Sequence, residues 1–250
     1  MLKTTYNFNF PKRNRLIFIC FLFVFTPLFS QISLNSYAEL GTTAVSQGAY
    51  GDLSAQLEGR SGSVQTSIGG LLSFSNAKEN VLSALLFKAS NDFQIKSKSI
   101  NIEGFYLWKP ISTEMRETNF GLLANYKIKH FGFQAGVNSR VYYFTQAAIL
   151  QYNFDNSTNT TLWEPWNIMY KISYFTQFSE KFDFEAAISN FDRYFIQQET
   201  NPMILLYSSY KLNSKLKLYS ELAYMQSGLF NLHVNAFGVY LRGGVIWQIN

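Results

Sequence analysis

The chain has 250 residues, of which 47% are hydrophobic, 18% are aromatic and only 15% are charged. Soluble domains carry about 25% charged residues, so an ordinary solvated surface is not expected here. An aromatic chain with so few charges buries enough surface to fold, which excludes intrinsic disorder. The single cysteine, Cys20, excludes a disulfide scaffold and a zinc ribbon.

The first thirty residues have the pattern of a cleavable export signal. Basic residues dominate the beginning, and residues 16–29 (LIFICFLFVFTPLF) are almost entirely apolar. This run is shorter than the roughly 20 residues of a membrane-spanning helix and fits the hydrophobic core of a secretory signal. We expect cleavage after Ser30, with Ala38 as a second site and an uncleaved anchor as the alternative. The chain is therefore divided into a signal at 1–30 and one domain at 31–250.

Removal of the signal changes the meaning of the net charge. Residues 1–30 hold four of the 21 basic side chains and no acidic one, so 17 basic and 16 acidic side chains remain. The formal net charge falls from +5 to about +1. Binding to nucleic acid requires a basic stripe, and we therefore expect no nucleic-acid partner.

The remaining chain shows a hydrophobic pattern of period two, the period of a strand with two different faces. The twelve segments with this pattern exceed, in most cases, the usual strand of about five or six residues. A tilted strand that crosses a bilayer needs about 9–11 residues. The segments are 33–42, 48–58, 62–74, 81–95, 99–109, 118–129, 130–144, 165–178, 181–195, 202–212, 214–226 and 237–249.

The connections between these segments alternate between tight polar turns and longer loops, of which Thr145–Glu164 is the longest. This alternation is typical of a barrel in a bacterial outer membrane. The pattern predicts an all-β fold: a closed, antiparallel, up-and-down transmembrane β-barrel of about twelve strands. Ten or fourteen strands remain open alternatives, because segments 81–109 and 145–178 can be divided differently.

Aromatic residues on the apolar face gather at the two ends of the strands, with smaller or aliphatic residues between them. This sorting predicts two aromatic girdles at the headgroup level and contact with outer-membrane lipid. A secreted soluble β-sandwich is the alternative, but it gives no reason to sort aromatics by height. The girdle residues include Trp108, Phe120, Tyr143, Trp166 and Tyr194 at the long-loop ends, and Phe131, Phe133, Tyr174, Phe182 and Trp247 at the short-turn ends.

The signal, the girdles and the alternating last segment resemble those of bacterial outer-membrane β-barrel proteins. The Ser30–Gln31 junction and the Asn/Phe/Tyr/Lys-rich composition are similar to such proteins from Bacteroidetes-type bacteria. The resemblance implies export to the outer membrane, insertion by the barrel-insertion machinery and no cofactor. The chain departs from the pattern at its end, Trp247-Gln248-Ile249-Asn250, where many such barrels have a final aromatic residue. This departure weakens the inferred recognition by that machinery.

The face opposite the aromatic one would line the lumen, and it carries charges of both signs. A strongly charge-selective filter is therefore not expected. The charges either pair and fill a narrow lumen or border a polar path for a small solute. They are Glu39, Asp52, Glu103, Arg140, Lys171, Asp183, Glu185, Arg193, Glu221 and Arg242.

One pairing follows from the spacing of the last two strands. Folding the hairpin about residues 231–232 places Glu221 opposite Arg242, and barrel closure brings Glu39 to a similar height. A buried arginine needs carboxylate partners, since leaving it unpaired costs several kcal/mol. We therefore predict a Glu39–Arg242–Glu221 cluster inside the barrel.

Enzyme chemistry has little support in the sequence. His130 falls in a tight turn, where a solvated residue is expected. His233 lies in the last long loop, but the hydroxyl that a His-x-Ser lipid hydrolase needs is replaced by Asn235. Neither histidine has the spacing of a metal-ligand pair. We therefore predict no catalytic residue and no metal site.

These observations favour a non-enzymatic outer-membrane protein, either a narrow passive channel or a transport component for small solutes. About twelve strands enclose a small lumen, which is either narrow or plugged. The first alternative is a barrel anchor or subunit whose outer loops, such as Thr145–Glu164, bind a partner protein. A lipid-modifying hydrolase is the less favoured alternative. Surface loops often carry function, although loop length alone identifies no ligand.

Overall fold

The computed structural model describes residues 30–43, 48–74, 81–95, 98–146, 148–149, 160–196, 198–226 and 237–250. The predicted signal, apart from Ser30, lies outside the described residues. No helix in the described ranges is both long enough and apolar enough to cross a membrane. The strands within those ranges are β1 (Gln31–Thr43), β2 (Gly48–Ser61), β3 (Val64–Ser73), β4 (Leu82–Ile95), β5 (Lys98–Pro110), β6 (Met115–Ile128), β7 (Phe131–Phe144), β8 (Thr161–Ser179), β9 (Phe182–Phe191), β10 (Gln198–Lys211), β11 (Leu216–Gln226) and β12 (Phe237–Gln248).

The strands form one closed antiparallel barrel. Each strand pairs with its neighbours along the chain, and β1 pairs with β12 to close the sheet. At the closure, residues 33–43 lie beside residues 238–248 in reverse order. Closure leaves no strand edge with unpaired backbone groups, which lipid cannot satisfy. The predicted up-and-down barrel is confirmed, and the described residues form twelve strands.

The two ends of the barrel differ in the length of their connections. Tight turns join β2 to β3, β6 to β7 and β8 to β9 at one end, which we call the short-turn end. Gly62 and Lys129 in these turns have φ of 60° and 50°, the left-handed conformation that tight hairpins use. The opposite end, where the longer connections lie, is called the long-loop end.

The faces of the strands alternate as the sequence predicts. On β12, Leu241 is 57% exposed on the outside, whereas the neighbouring Arg242 is only 3% exposed inside the barrel. The outer surface consists largely of exposed Leu, Ile, Val, Phe and Trp side chains. Such a surface suits contact with hydrocarbon rather than with water.

Strand β8 begins earlier than predicted. The pattern placed its start at residue 165, but it begins at Thr161, so the last part of the Thr145–Glu164 loop belongs to the strand. Pro165 lies inside the strand, next to a register shift opposite Asn138 and Arg140. Proline cannot donate a ladder hydrogen bond, and the shift accommodates it. Residues 150–159 of the predicted loop lie outside the described residues.

Strand β9 ends earlier than predicted, at Phe191 rather than residue 195. Residues 192–196, which we call the inward segment, turn into the lumen. The Oδ1 atom of Asp192 accepts hydrogen bonds from the backbone N–H groups of Tyr194 and Phe195, at 2.8 Å each. A side chain that accepts these bonds stabilises a turn in place of the strand ladder. The placement of Tyr194 in the outer girdle was wrong, because its ring is buried inside the barrel.

Candidate functional site

Arg242 lies at the centre of a buried cluster of three carboxylates. Its Nε donates to Glu39 Oε2 at 2.8 Å, and its Nη1 donates to Glu221 Oε1 at 2.8 Å. Its Nη2 donates to Asp192 Oδ2 at 2.9 Å and also contacts Glu39. Each guanidinium nitrogen therefore has a carboxylate partner, as a buried arginine requires.

The backbone of the barrel positions two of these carboxylates. Glu39 on β1 and Glu221 on β11 are the direct cross-strand partners of Arg242 on β12, and all three side chains point inward. The structure thus brings together Glu221 and Arg242, which the hairpin spacing placed opposite each other, and Glu39, which barrel closure placed at a similar height. Asp192 joins them from the inward segment, and sequence reasoning missed this residue.

The charge cluster continues toward the short-turn end through Arg193. Its Nη2 lies 2.7 Å from Glu185 Oε2, and its Nε lies 2.9 Å from Glu221 Oε2. Lys171 Nζ lies 2.8 Å from the other oxygen of Glu185. We call Lys171, Glu185, Asp192, Arg193, Glu221, Arg242 and Glu39 the lumen charge network. With three cations and four carboxylates, the network nearly balances its own charge.

Tyrosine rings support both arginines. Tyr194 of the inward segment lies between Tyr37 and Tyr219, with ring-centre distances of 5.0 and 5.6 Å. The Arg242 guanidinium carbon lies 4.4 Å from the centre of the Tyr37 ring, and that of Arg193 lies 4.2 Å from the Tyr207 ring. These are cation–π distances, and they add attraction at a desolvated site.

The end of the inward segment packs on an apolar wall. Phe195 and Ile196 are buried in one cluster with Leu86, Leu107 and Met169 of the barrel interior. Ile196 has a φ of 49°, a left-handed conformation that costs roughly 1–2 kcal/mol for a residue with a Cβ. The surrounding packing holds this residue in a conformation that a free chain would avoid.

Two cavities lie on opposite sides of the inward segment. A cavity of about 660 Å³ at the short-turn end is lined by Arg193 and Ile196 of the segment. A cavity of about 400 Å³ at the long-loop end is lined by Asp192 and Phe195. Residues of the segment border both cavities, so the segment lies between them in the lumen, together with the barrel side chains on which it packs.

The other predicted lumen residues border these cavities or pair elsewhere. Asp52 is the cross-strand partner of Glu39 and lines the long-loop cavity. Glu103 lines the short-turn cavity. Arg140 Nε lies 3.8 Å from Glu117 Oε1, in a separate ion pair on β6 and β7.

Two lumen tyrosines complete the Arg242 cluster, and sequence reasoning did not single them out. The Tyr50 hydroxyl donates to Glu39 Oε1 at 2.7 Å, and the Tyr240 hydroxyl donates to Asp192 Oδ2 at 3.1 Å. The available signal was their position on the inward face, where a tyrosine interrupts a row of smaller or charged residues.

The predicted girdle residues are accessible from outside the barrel. Trp108, Tyr143 and Phe182 are half-buried there, and Arg116 lies over the Tyr143 ring at 4.7 Å. Trp163, which lies within the predicted Thr145–Glu164 loop, is 62% exposed, and its Nε1 donates to Ser139 Oγ. The remaining girdle residues are more exposed: Phe120 46%, Phe131 48%, Phe133 42%, Trp166 78%, Tyr174 44% and Trp247 48%.

The histidines offer no assembled catalytic group within the described residues. His130 is exposed at the turn after β6, and its Nδ1 lies 3.2 Å from the Phe175 carbonyl oxygen. His233 lies outside the described ranges. Among the residues that the structure describes, no group of three or more His, Cys, Asp or Glu side chains could hold a metal ion.

No protein-family model and no curated protein sequence matches the chain. Among solved structures, the barrel is similar to the KdgM porin in complex with disordered oligogalacturonate, with a TM-score of 0.52 and 11% identity over 86% of this chain and 99% of that chain. The KdgM porin alone gives a TM-score of 0.51 and 10% identity, with the same coverage. Outer membrane phospholipase A from Escherichia coli gives a TM-score of 0.44 and 10% identity, covering 85% of this chain and 89% of that chain, which is too distant to carry an argument. The chain has the fold of the bacterial outer-membrane β-barrels.

Proposed function

We propose that the protein is a narrow, non-enzymatic outer-membrane channel for small polar solutes, with the inward segment as its constriction. The observation that carries this proposal is the pair of cavities of about 660 and 400 Å³ in one lumen, with the inward segment lying between them. Both cavities are bordered by charged and polar side chains. Movement of a few residues would join them into one path.

The size and charge of the lumen favour small solutes. Wide aqueous channels need about 16–18 strands, and this barrel is built from twelve in its described residues. The path passes the lumen charge network, where cations and carboxylates alternate. The similar KdgM porin was solved with oligogalacturonate. Here the near balance of charge favours selection by size and polarity over selection of acidic polymers.

The outer membrane is the location that this proposal requires. An apolar outer face, girdle residues at both ends and the fold of outer-membrane barrels support it. We propose that residues 1–30 direct export and are removed, and that the barrel-insertion machinery then assembles the domain in outer-membrane lipid. N-terminal sequencing of the protein purified from outer membranes tests the cleavage, with Gln31 expected as the first residue.

Planar-bilayer recording tests the channel directly. Residues 31–250 are refolded, and folding is verified by a band whose gel mobility changes on boiling. We expect small, step-like conductances that fall when a small polar solute enters the lumen. A folded protein that never conducts would overturn the proposal.

A closed barrel that serves as an anchor or complex subunit is the second candidate. The observation that favours it is the dense packing of Phe195 and Ile196 in the apolar cluster at mid-height. In that case the loops at the long-loop end would bind a partner protein. Retained partner binding by a non-conducting folded barrel, lost when residues 145–160 are replaced by a short Gly/Ser linker, would support it.

A further inference from the structure

The short-turn end carries a marked excess of exposed cationic side chains. Among the described residues at this end, seven Lys and Arg side chains are exposed, but only one acidic side chain, Glu180. Arg60 of this set also forms a 3.3 Å ion pair with the half-buried Asp92. Arg60, Lys127 and Lys211 stand at inward-facing strand positions, and Lys127 Nζ lies over the Phe175 ring at the lumen mouth. The other four, which we call the basic collar, are Lys98, Lys129, Lys181 and Lys215.

The basic collar adjoins the aromatic residues at the same end of the barrel. Lys98 Nζ lies 5.7 Å from the ring centre of Tyr126. Beside it on the outer surface, the Phe131 and Tyr174 rings meet at 5.5 Å, next to the turn that contains Lys129. Aromatic rings of this kind lie at the headgroup level of a bilayer. The collar ammonium groups therefore lie at, or just beyond, the depth of the lipid phosphates.

The outer surface at this end also has a recess. Asn213, Ser214, Lys215, Leu216 and Trp247 line an open cavity of about 500 Å³. The Trp247 ring is 48% exposed and supplies an apolar wall, and Lys215 supplies a positive charge. A phosphate attached to a glycerol and an acyl chain needs this combination of a cation and an apolar surface.

We propose that the basic collar binds the headgroups of anionic phospholipids in the leaflet at the short-turn end, and that the recess beside Lys215 and Trp247 holds one of them. Lysines near an anionic membrane surface each gain an attraction that falls off within a Debye length. The interaction would fix the depth of the barrel in the bilayer. It requires membrane insertion but does not depend on an open channel.

Lipid selectivity at the surface of the inserted barrel tests this proposal. The refolded protein is placed in vesicles with equal amounts of phosphatidylglycerol and phosphatidylcholine, and spin-labelled versions of each lipid report the fraction held by the protein. We expect phosphatidylglycerol to associate at least about threefold more strongly. The preference should nearly vanish at about 1 M salt, where the Debye length is about 3 Å.

Charge-removing variants assign the effect to the collar. The triple variant K129Q/K181Q/K215Q removes three exposed charges at turns, outside the strand ladders. The matched control is R116Q, which removes an exposed cation at the long-loop end. We expect the triple variant to lose most of the preference and R116Q to keep it.

Two outcomes would overturn the proposal: equal association of both lipids with the wild-type barrel, or an unchanged preference in the folded triple variant. Gel mobility before and after boiling verifies folding of each protein. If the triple variant does not fold, the single variant K215Q tests the recess, and an unchanged preference at low salt would then contradict the proposal. A failure in this experiment leaves the conductance test untouched, because the lipid assay does not depend on the lumen.

Discussion

Asp192 and Arg242 are joined by a 2.9 Å contact between Oδ2 and Nη2, although 50 residues separate them in the chain. This contact connects the inward segment to the barrel wall. The other oxygen of Asp192 stabilises the turn of the segment itself. One carboxylate therefore both shapes the segment and anchors it across the lumen.

Asp192→Asn should weaken the anchor without destroying the turn. The amide oxygen can still accept from the N–H groups of Tyr194 and Phe195, but the charge facing Arg242 is lost. A charge-assisted hydrogen bond contributes about 1.5–3 kcal/mol, so the open-to-closed ratio should rise about tenfold or more. Single-channel open probability measures this change. The control is D183N, which removes a carboxylate that forms a partly exposed pair with Lys217, and its open probability should equal that of the wild type. Equal open probability in D192N and the wild type would show that Asp192 does not anchor the inward segment.

Arg242→Met should strongly destabilise the barrel. The change leaves Glu39, Asp192 and Glu221 buried together without their shared cation. Breaking a buried ion pair by removing one partner costs about 3–5 kcal/mol. The free energy of unfolding in lipid vesicles, followed by tryptophan fluorescence in urea, gives the value.

Two variants control the interpretation of the Arg242 experiment. K217M breaks an ion pair whose side chains are 29% and 32% exposed, and it should cost less than about 1 kcal/mol. The triple variant R242M/E39Q/D192N removes the two carboxylates that lose their arginine partner, whereas Glu221 keeps Arg193, and it should recover part of the loss. The role of Arg242 would be refuted if R242M were no more costly than K217M.

Tyr194→Ala should enlarge the single-channel conductance. The ring lies between Tyr37 and Tyr219 at the height where the lumen is closed. Truncation of a buried aromatic side chain leaves a cavity and costs about 3–5 kcal/mol. The control is Y106A, which removes a ring that is 43% exposed on the outer face. We expect larger current steps from Y194A only; identical steps in both variants would place the constriction elsewhere.

Adjacent glycines on β12 should differ sharply in their tolerance of alanine. A Cβ at Gly244 would lie 2.5 Å from the Tyr219 ring and 2.6 Å from the Ser36 carbonyl oxygen, whereas a Cβ at Gly243 has nothing within 4 Å. We expect G244A to lower the free energy of unfolding by about 1–3 kcal/mol, as overpacking does. G243A should change it by less than about 0.5 kcal/mol. Equal effects of the two substitutions in the same urea titration would show that the Tyr219 ring does not need the space left by the missing Cβ of Gly244.

Much of the barrel follows from local patterns along the chain. Alternation identifies the inward face of each strand. Where a hairpin connects two strands, its centre also predicts which inward residues lie opposite each other. Glu221 and Arg242 illustrate this, because the centre of the hairpin determines their pairing before any tertiary contact is known. The two girdles are predicted in the same way, from the sorting of aromatic residues to the ends of the strands.

The inward segment could not be predicted from local pattern. The predicted segment extends to residue 195, with Arg193 on the inner face and Tyr194 on the outer face, past the point where β9 ends. The ending depends on Asp192 accepting backbone hydrogen bonds and on its distant partner Arg242. The start of β8 differs in the opposite direction, because the predicted segment begins at residue 165 and the strand begins at Thr161; Pro165 is accommodated inside it beside the register shift.

Replacement of residues 192–196 by Gly-Ser-Gly-Ser-Gly tests whether the inward segment closes the lumen. The remaining lumen charges keep partners, since Lys171 still pairs with Glu185 and Arg242 with Glu39 and Glu221. Wild type and variant are refolded in parallel, their folding is verified by gel mobility, and the conductance of each is recorded in planar bilayers. We expect a severalfold larger and longer-lived conductance in the variant. Indistinguishable conductance of the two folded proteins would contradict it, because the segment would then not be what closes the lumen.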